Sequence, residues 1–229
     1  MKPFAPSPRA RRPAPDSAFT MIEIAISLAI IGFALVVIIG VLPKGMDVQK
    51  NNRRETIINQ DAKYFIEAIR GGAHGLDDLM NYVEAITVPG VGTYTNPNLP
   101  TPAGLTSSGV LTSGQMIIGL LSTPNTKVTA YVKALSGAAV EKAPQTNSVI
   151  NEAAFSYRMV SEITTPPSGN LLGNLHEVRL LFRWPLLPTG NTGDGRQVYR
   201  LMIAGALAPV NVAGLPLYFF QPQTFTNAP

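Results

Sequence analysis

The chain of 229 residues contains no cysteine. That excludes a thiol nucleophile, a thiolate-held metal and any disulfide. A head without disulfides must be held by packing, and the chain is long enough for that. Charge is scarce as well: 14% of residues are charged, against 45% hydrophobic. Mean hydropathy is positive, which points to a segment placed in lipid. Histidine occurs twice, as His74 and His176. The two are far apart in sequence and neither has a metal-spacing partner, so a surface or capping role is expected for each.

The formal net charge of +4 is unevenly placed. Lys2, Arg9, Arg11 and Arg12 face one acid, Asp16, within the first 18 residues, while the rest holds 14 basic and 13 acidic residues. The high pI therefore belongs to the tail and does not argue for nucleic-acid binding; no nucleic-acid partner is expected. Five prolines in the same 18 residues oppose a stable helix, so residues 1–18 read as a basic leader on the cytoplasmic side.

Residues 19–42, FTMIEIAISLAIIGFALVVIIGVL, form an apolar run with one charge, Glu23. As a helix it reaches ~36 Å, enough to cross a hydrocarbon core of ~30 Å. The basic tail predicts a cytoplasmic N-terminus and a head on the far side of the membrane. A cleaved secretory signal peptide is the competing reading. Against it stand the length of the run, the acid inside it and the lack of a small-residue cleavage pattern after it. Thr20 and Ser27 are expected to make plain backbone hydrogen bonds inside the helix.

Residues 43–70 turn amphipathic. Val48, Ile57, Ile58, Ala62, Phe65, Ile66 and Ile69 recur at mostly three- and four-residue steps, and Gly71-Gly72 ends the helix. Pro43 and Gly45 predict a bend at the junction. Residues 71–229 are the head. Leu76–Ile86 reads as a second amphipathic helix with Asp77 and Asp78 in its first turn, and residues 87–113 as a long irregular connection. Ser113 is a candidate cap for a helix through Leu121, while Gln115–Leu121 also passes as a buried strand. Strand patterns follow over Lys127–Leu135, Asn151–Ile163, Glu177–Trp184 and Arg196–Leu207. In the last, alternation is apolar on both sides, predicting cover on both faces. Pro185–Gly195 reads as the hairpin loop joining the final two. The expected class is α+β: a long N-terminal helix, transmembrane at its start, followed by an antiparallel sheet.

No nucleophile–base constellation is visible, so no enzyme and no cofactor is expected. Gly90-Val91-Gly92 lacks the strand–turn–helix setting of a dinucleotide loop. Asp194 in the loop 190–195 is one carboxylate, too few for Ca²⁺.

The stretch Ala18-Phe19-Thr20-Met21-Ile22-Glu23 resembles the processing site of type IV prepilins and pseudopilins. The likeness continues through Ala29-Ile30-Ile31-Gly32 and is specific over residues 12–42. The resemblance implies a cut between Ala18 and Phe19 by a prepilin peptidase, N-methylation of Phe19, and assembly roles for Glu23 and Gly32. It implies a pilin-like head, inner-membrane residence with the head in the periplasm, and a structural filament subunit of a pilus-like or secretion pseudopilus-like system. Its partners would be other pilin-like subunits and the assembly machinery. The family usually carries Gly where Ala18 stands, and its helix proline often falls at the position of Gly40 rather than Pro43. The run Gly40–Gly45 looks more like pseudopilins and the pilin-like members of the Verru_Chthon cassette, to which Phe182-Arg183-Trp184-Pro185 is also similar. The alternative is a non-polymerising periplasmic binding module on a single prepilin-like anchor.

A carboxylate at membrane depth costs at least ~2.5 kcal/mol. A salt bridge from Glu23 to the new amine of Phe19, in the same or a neighbouring subunit, would offset that cost. Gly32 would let neighbouring helices approach closely.

Overall fold

The computed structural model describes residues 19–72, 76–135, 155–165, 173–212, 214–222 and 224–225. Helix α1 runs unbroken over Met21–Gly71, through Pro43 and Gly45. The chain divides into two compact units, residues 1–52 and 53–229.

In the first unit every residue of α1 is exposed, Val48 included. The periodic apolar pattern therefore begins to bury side chains only later. Among the described residues there is one helix long and apolar enough to cross a membrane, and none of its apolar window is buried.

The second unit starts within α1. Ile58, Ala62, Phe65 and Ile69 are fully buried there, with Asp61 beside them. Gly72 then takes φ +64°, and a Cβ on it would lie 2.6 Å from the carbonyl oxygen of Phe220. Both the left-handed turn and the close approach require glycine. The expected helix over Leu76–Ile86 is instead a short 3-10 turn, Asp77–Asn81, followed by strand β1, Val83–Val88. Val83, Ile86, Thr87 and Val88 are β-branched and pair with other strands, which overrides the helical spacing of Leu76, Leu79, Met80 and Val83.

The connection expected to be irregular holds two more strands, β2 (Gly92–Thr95) and β3 (Gly109–Val110). β1 and β2 form a hairpin whose turn places Gly90 at φ +81°. Helix α2, Gly114–Leu121, takes the helical alternative, with the Ser113 hydroxyl accepting from the Met116 N–H at 3.2 Å. Strands β4 (Lys127–Lys133), β5 (Ser156–Thr164), β6 (Leu175–Leu186) and β7 (Thr192–Ala204) follow. Residues 151–154 of the expected second strand pattern lie outside the described residues. The β6–β7 loop is shorter than expected, because pairing continues to Leu186↔Thr192. A separate hairpin, β8 (Ala206–Val212) with β9 (Leu215–Gln221), closes the chain.

Among the described residues the main sheet has seven strands in the order β3-β2-β1-β4-β5-β6-β7. It is mixed rather than purely antiparallel, since β2 and β3 run parallel. Strands β4, β5 and β6 as far as Trp184 alternate between buried residues and half-buried or exposed ones. One face thus supplies Val128, Ala130, Tyr157, Met159, Leu180 and Phe182 to a core shared with α1, α2 and β9. β7 departs from the expected two-sided cover: Ile203 is buried and Tyr199 and Leu201 pack on the core, but Arg200 and Met202 are exposed. Among the described residues it is the last strand of the sheet and has no second neighbour in the strand order.

Candidate functional site

The N-terminal region is built on a reciprocal cap. Thr20 precedes the first helical residue, and its N–H and hydroxyl both donate to the Glu23 carboxylate, at 3.2 and 3.1 Å. The Glu23 N–H in turn donates to the Thr20 hydroxyl at 3.4 Å. A threonine with a glutamate three residues on satisfies two otherwise orphaned N–H groups. Thr20 is therefore the helix cap, not an interior residue as expected. The spacing Thr-x-x-Glu ahead of an apolar run was the signal for it. Ser27 does bond backward, donating to the Glu23 carbonyl at 2.7 Å.

The sequence-predicted site residues fall along this segment. Ala18 lies outside the described residues. Phe19 is non-helical and 78% exposed. Gly32 sits on the exposed helix with open space where a Cβ would stand. From Met21 to Leu42 the large apolar side chains are exposed. Such a surface needs lipid or other helices to cover it.

In the second unit, Asp61 was missed by sequence reasoning. It falls inside the helical stripe Ile58, Ala62, Phe65, and an acid at a stripe position was the available signal. Its carboxylate accepts from the Leu135 N–H at 2.9 Å and from the Tyr157 hydroxyl at 3.0 Å. Burial, then the Asp61 charge and its hydrogen bond, push the Tyr157 hydroxyl well above the usual tyrosine range. Asn59 on the same helix accepts from Gln197 and Tyr199 of β7. These bonds fasten α1 to both the middle and the edge of the sheet.

His176 is a core residue, not a surface or capping one. It is 4% exposed, and its ring nitrogens meet the Thr165 hydroxyl at 3.1 Å and the Gly173 carbonyl at 3.2 Å. Its alternation with Val178, Leu180 and Phe182 puts it on the buried face. Burial lowers its pKa, partly opposed by the Gly173 bond. His74 lies outside the described residues. Asp77 does stand in the first turn of its 3-10 segment and accepts from the Gly114 N–H at 3.3 Å. Among the described residues no group of three His, Cys, Asp or Glu side chains gathers as a metal site would require.

The head carries a cleft of about 320 Å³ between β2, β3, α2 and the β8–β9 hairpin, walled by Tyr94, Val110, Met116, Val212, Leu215 and Leu217. It is apolar and open on one side. On the outer face of the sheet, Glu162 lies 3.4 Å from Arg179 and 3.7 Å from Lys127.

Comparison with protein-family models, with curated proteins and with solved structures finds no match to this chain.

Proposed function

We propose that the chain is the precursor of a type IV pilin-like or pseudopilin-like filament subunit, cut by a prepilin peptidase between Ala18 and Phe19. The observation that carries this reading is the pairing of a prepilin-like motif with a helix whose apolar side chains are exposed from Met21 to Leu42. The head is periplasmic, and assembly consists of burying residues 19–42 against the same segment of neighbouring subunits.

The Thr20–Glu23 cap fits this sequence of events. In the precursor it gives the carboxylate two local donors. Cleavage converts the Phe19 amide into an amine next to that cap, and in a filament the amine of an adjacent subunit becomes the partner of Glu23. Removing one member of a buried ion pair costs roughly 3–5 kcal/mol. Glu23→Ala should therefore leave insertion and cleavage intact but strongly reduce incorporation. The measurement is intact mass after co-expression with a prepilin peptidase, together with the fraction of mature chain that pellets as sheared filament. A mature chain starting at Phe19 and a lower pelleted fraction for the variant are expected. A retained leader, or equal fractions for wild type and variant, would reject the reading.

The second reading is an anchored, non-polymerising binding module. The apolar cleft around Tyr94 and Met116 favours it, because clefts of this size and lining hold small apolar ligands. Under that reading Glu23→Ala is silent.

A further inference from the structure

The outward residues of β4–β7 form rows that cross the sheet, set by strand register. One row is Lys127, Glu162, Arg179 and Arg200. There Glu162 stands between Lys127 and Arg179 and pairs with both, while Arg200 lies opposite Arg179. Four residues further along the strands the row is Tyr131, Arg158, Arg183 and Arg196. Here three arginines stand directly opposite one another on adjacent strands, with no acid among them.

That arrangement is unfavourable on its own. Directly opposed side chains in an antiparallel pair have Cβ atoms about 5 Å apart, and like charges there repel. Glu162 cannot relieve it, because four strand residues span roughly 14 Å, beyond the ~10 Å screening length at 0.1 M salt. Among the described residues none of the three arginines makes an ion pair or a side-chain hydrogen bond. Arg158 Nε is shielded from water and has no hydrogen-bond partner. The same holds for Arg179 Nε in the neighbouring row, whose guanidinium nonetheless pairs with Glu162. Asp194 lies two residues before Arg196 on the same side of β7, is exposed, and makes no ion pair with it among the described residues. Glu84 of β1 accepts from Ser156 at 3.3 Å.

We propose that Arg158, Arg183 and Arg196 form a binding site for a phosphate group. Planar guanidinium groups present paired donors that match the oxygens of phosphate. The number of charges favours phosphate over a carboxylate. In the neighbouring row one carboxylate pairs with two of the three cations, whereas three arginines with no acid in the row call for an anion of charge near −2 with three acceptor oxygens. The site is independent of the assembly reading. Its phosphate could come as the free ion or as the monoester of a headgroup, and the two are separable by experiment.

The test titrates the full-length chain, in an uncharged detergent and about 0.1 M chloride, with inorganic phosphate and with glycerol 3-phosphate, read by calorimetry. Saturable binding of at least one is expected. Tighter binding of glycerol 3-phosphate assigns the monoester, and equal binding assigns the bare ion. Arg183→Gln should weaken binding roughly tenfold or more. Arg179→Gln, in the row that holds Glu162, should change it little. Thermal unfolding supplies a second signature. Without phosphate, Arg183→Gln should unfold at a higher temperature than wild type, because it removes a repulsion. With phosphate the order should reverse. Failure of both ligands to bind saturably, or undiminished binding by Arg158→Gln/Arg183→Gln/Arg196→Gln, would overturn the proposal.

Discussion

The Tyr157 hydroxyl donates to the Asp61 carboxylate across 96 positions of sequence, at 3.0 Å, with both residues fully buried. This bond ties the middle of the sheet to α1. It also explains how an acid can sit in an apolar stripe: a buried carboxylate is tolerated only when its oxygens are engaged.

Tyr157→Phe keeps the ring contact with Phe182, whose centroid lies 5.5 Å away, but removes one donor from a buried charge. The expected loss is about 1.5–3 kcal/mol, read as a lower denaturation midpoint. An unchanged midpoint would show that Asp61 is held by its other partners alone.

Gly119→Ala should destabilise the head. A Cβ there would stand 2.7 Å from Leu217 Cβ and 2.8 Å from Phe219 Cζ, where α2 meets β9. Overpacking of this kind costs about 1–3 kcal/mol, in spite of the better helix propensity of alanine. A rise in unfolding temperature would mean that β9 can withdraw without loss.

The His176 pKa is lowered in the folded state because the ring is buried. Its contribution to stability is therefore present above the unfolded value of ~6.5 and is lost as pH falls below it. Wild type should lose stability between neutral pH and pH ~5 more steeply than His176→Gln, measured as unfolding temperature against pH. Parallel curves would remove His176 as a source of acid sensitivity.

Legibility followed the range of the interaction. Strict alternation over Tyr157–Met159 and Val178–Trp184 was readable because one buried face imposes a period of two on consecutive residues. The same alternation reached His176, so its burial was also written there. Ser113 and Gly72 were readable as cap and stop because their partners are a few residues away. β1 was not: Val83 and Ile86 satisfy a helical spacing, and only pairing with β2 and β4 makes them a strand. The β8–β9 hairpin escaped too, since Pro209 and Pro216 interrupt its pattern.

The sequence by itself determined the apolar segment 19–42, the helix cap at Thr20, the strand periods and the absence of cysteine-based chemistry. Each depends on residues within a turn or two of one another, so neighbouring side chains suffice to specify it. Only the tertiary structure decided that Asp61 meets Tyr157, that Met202 is left uncovered, and that Arg158, Arg183 and Arg196 share a row. Those outcomes depend on which strands pair and in what register. A shift of one residue would turn each arginine to the opposite face, and no local pattern sets the register across 25 positions of chain between Arg158 and Arg183.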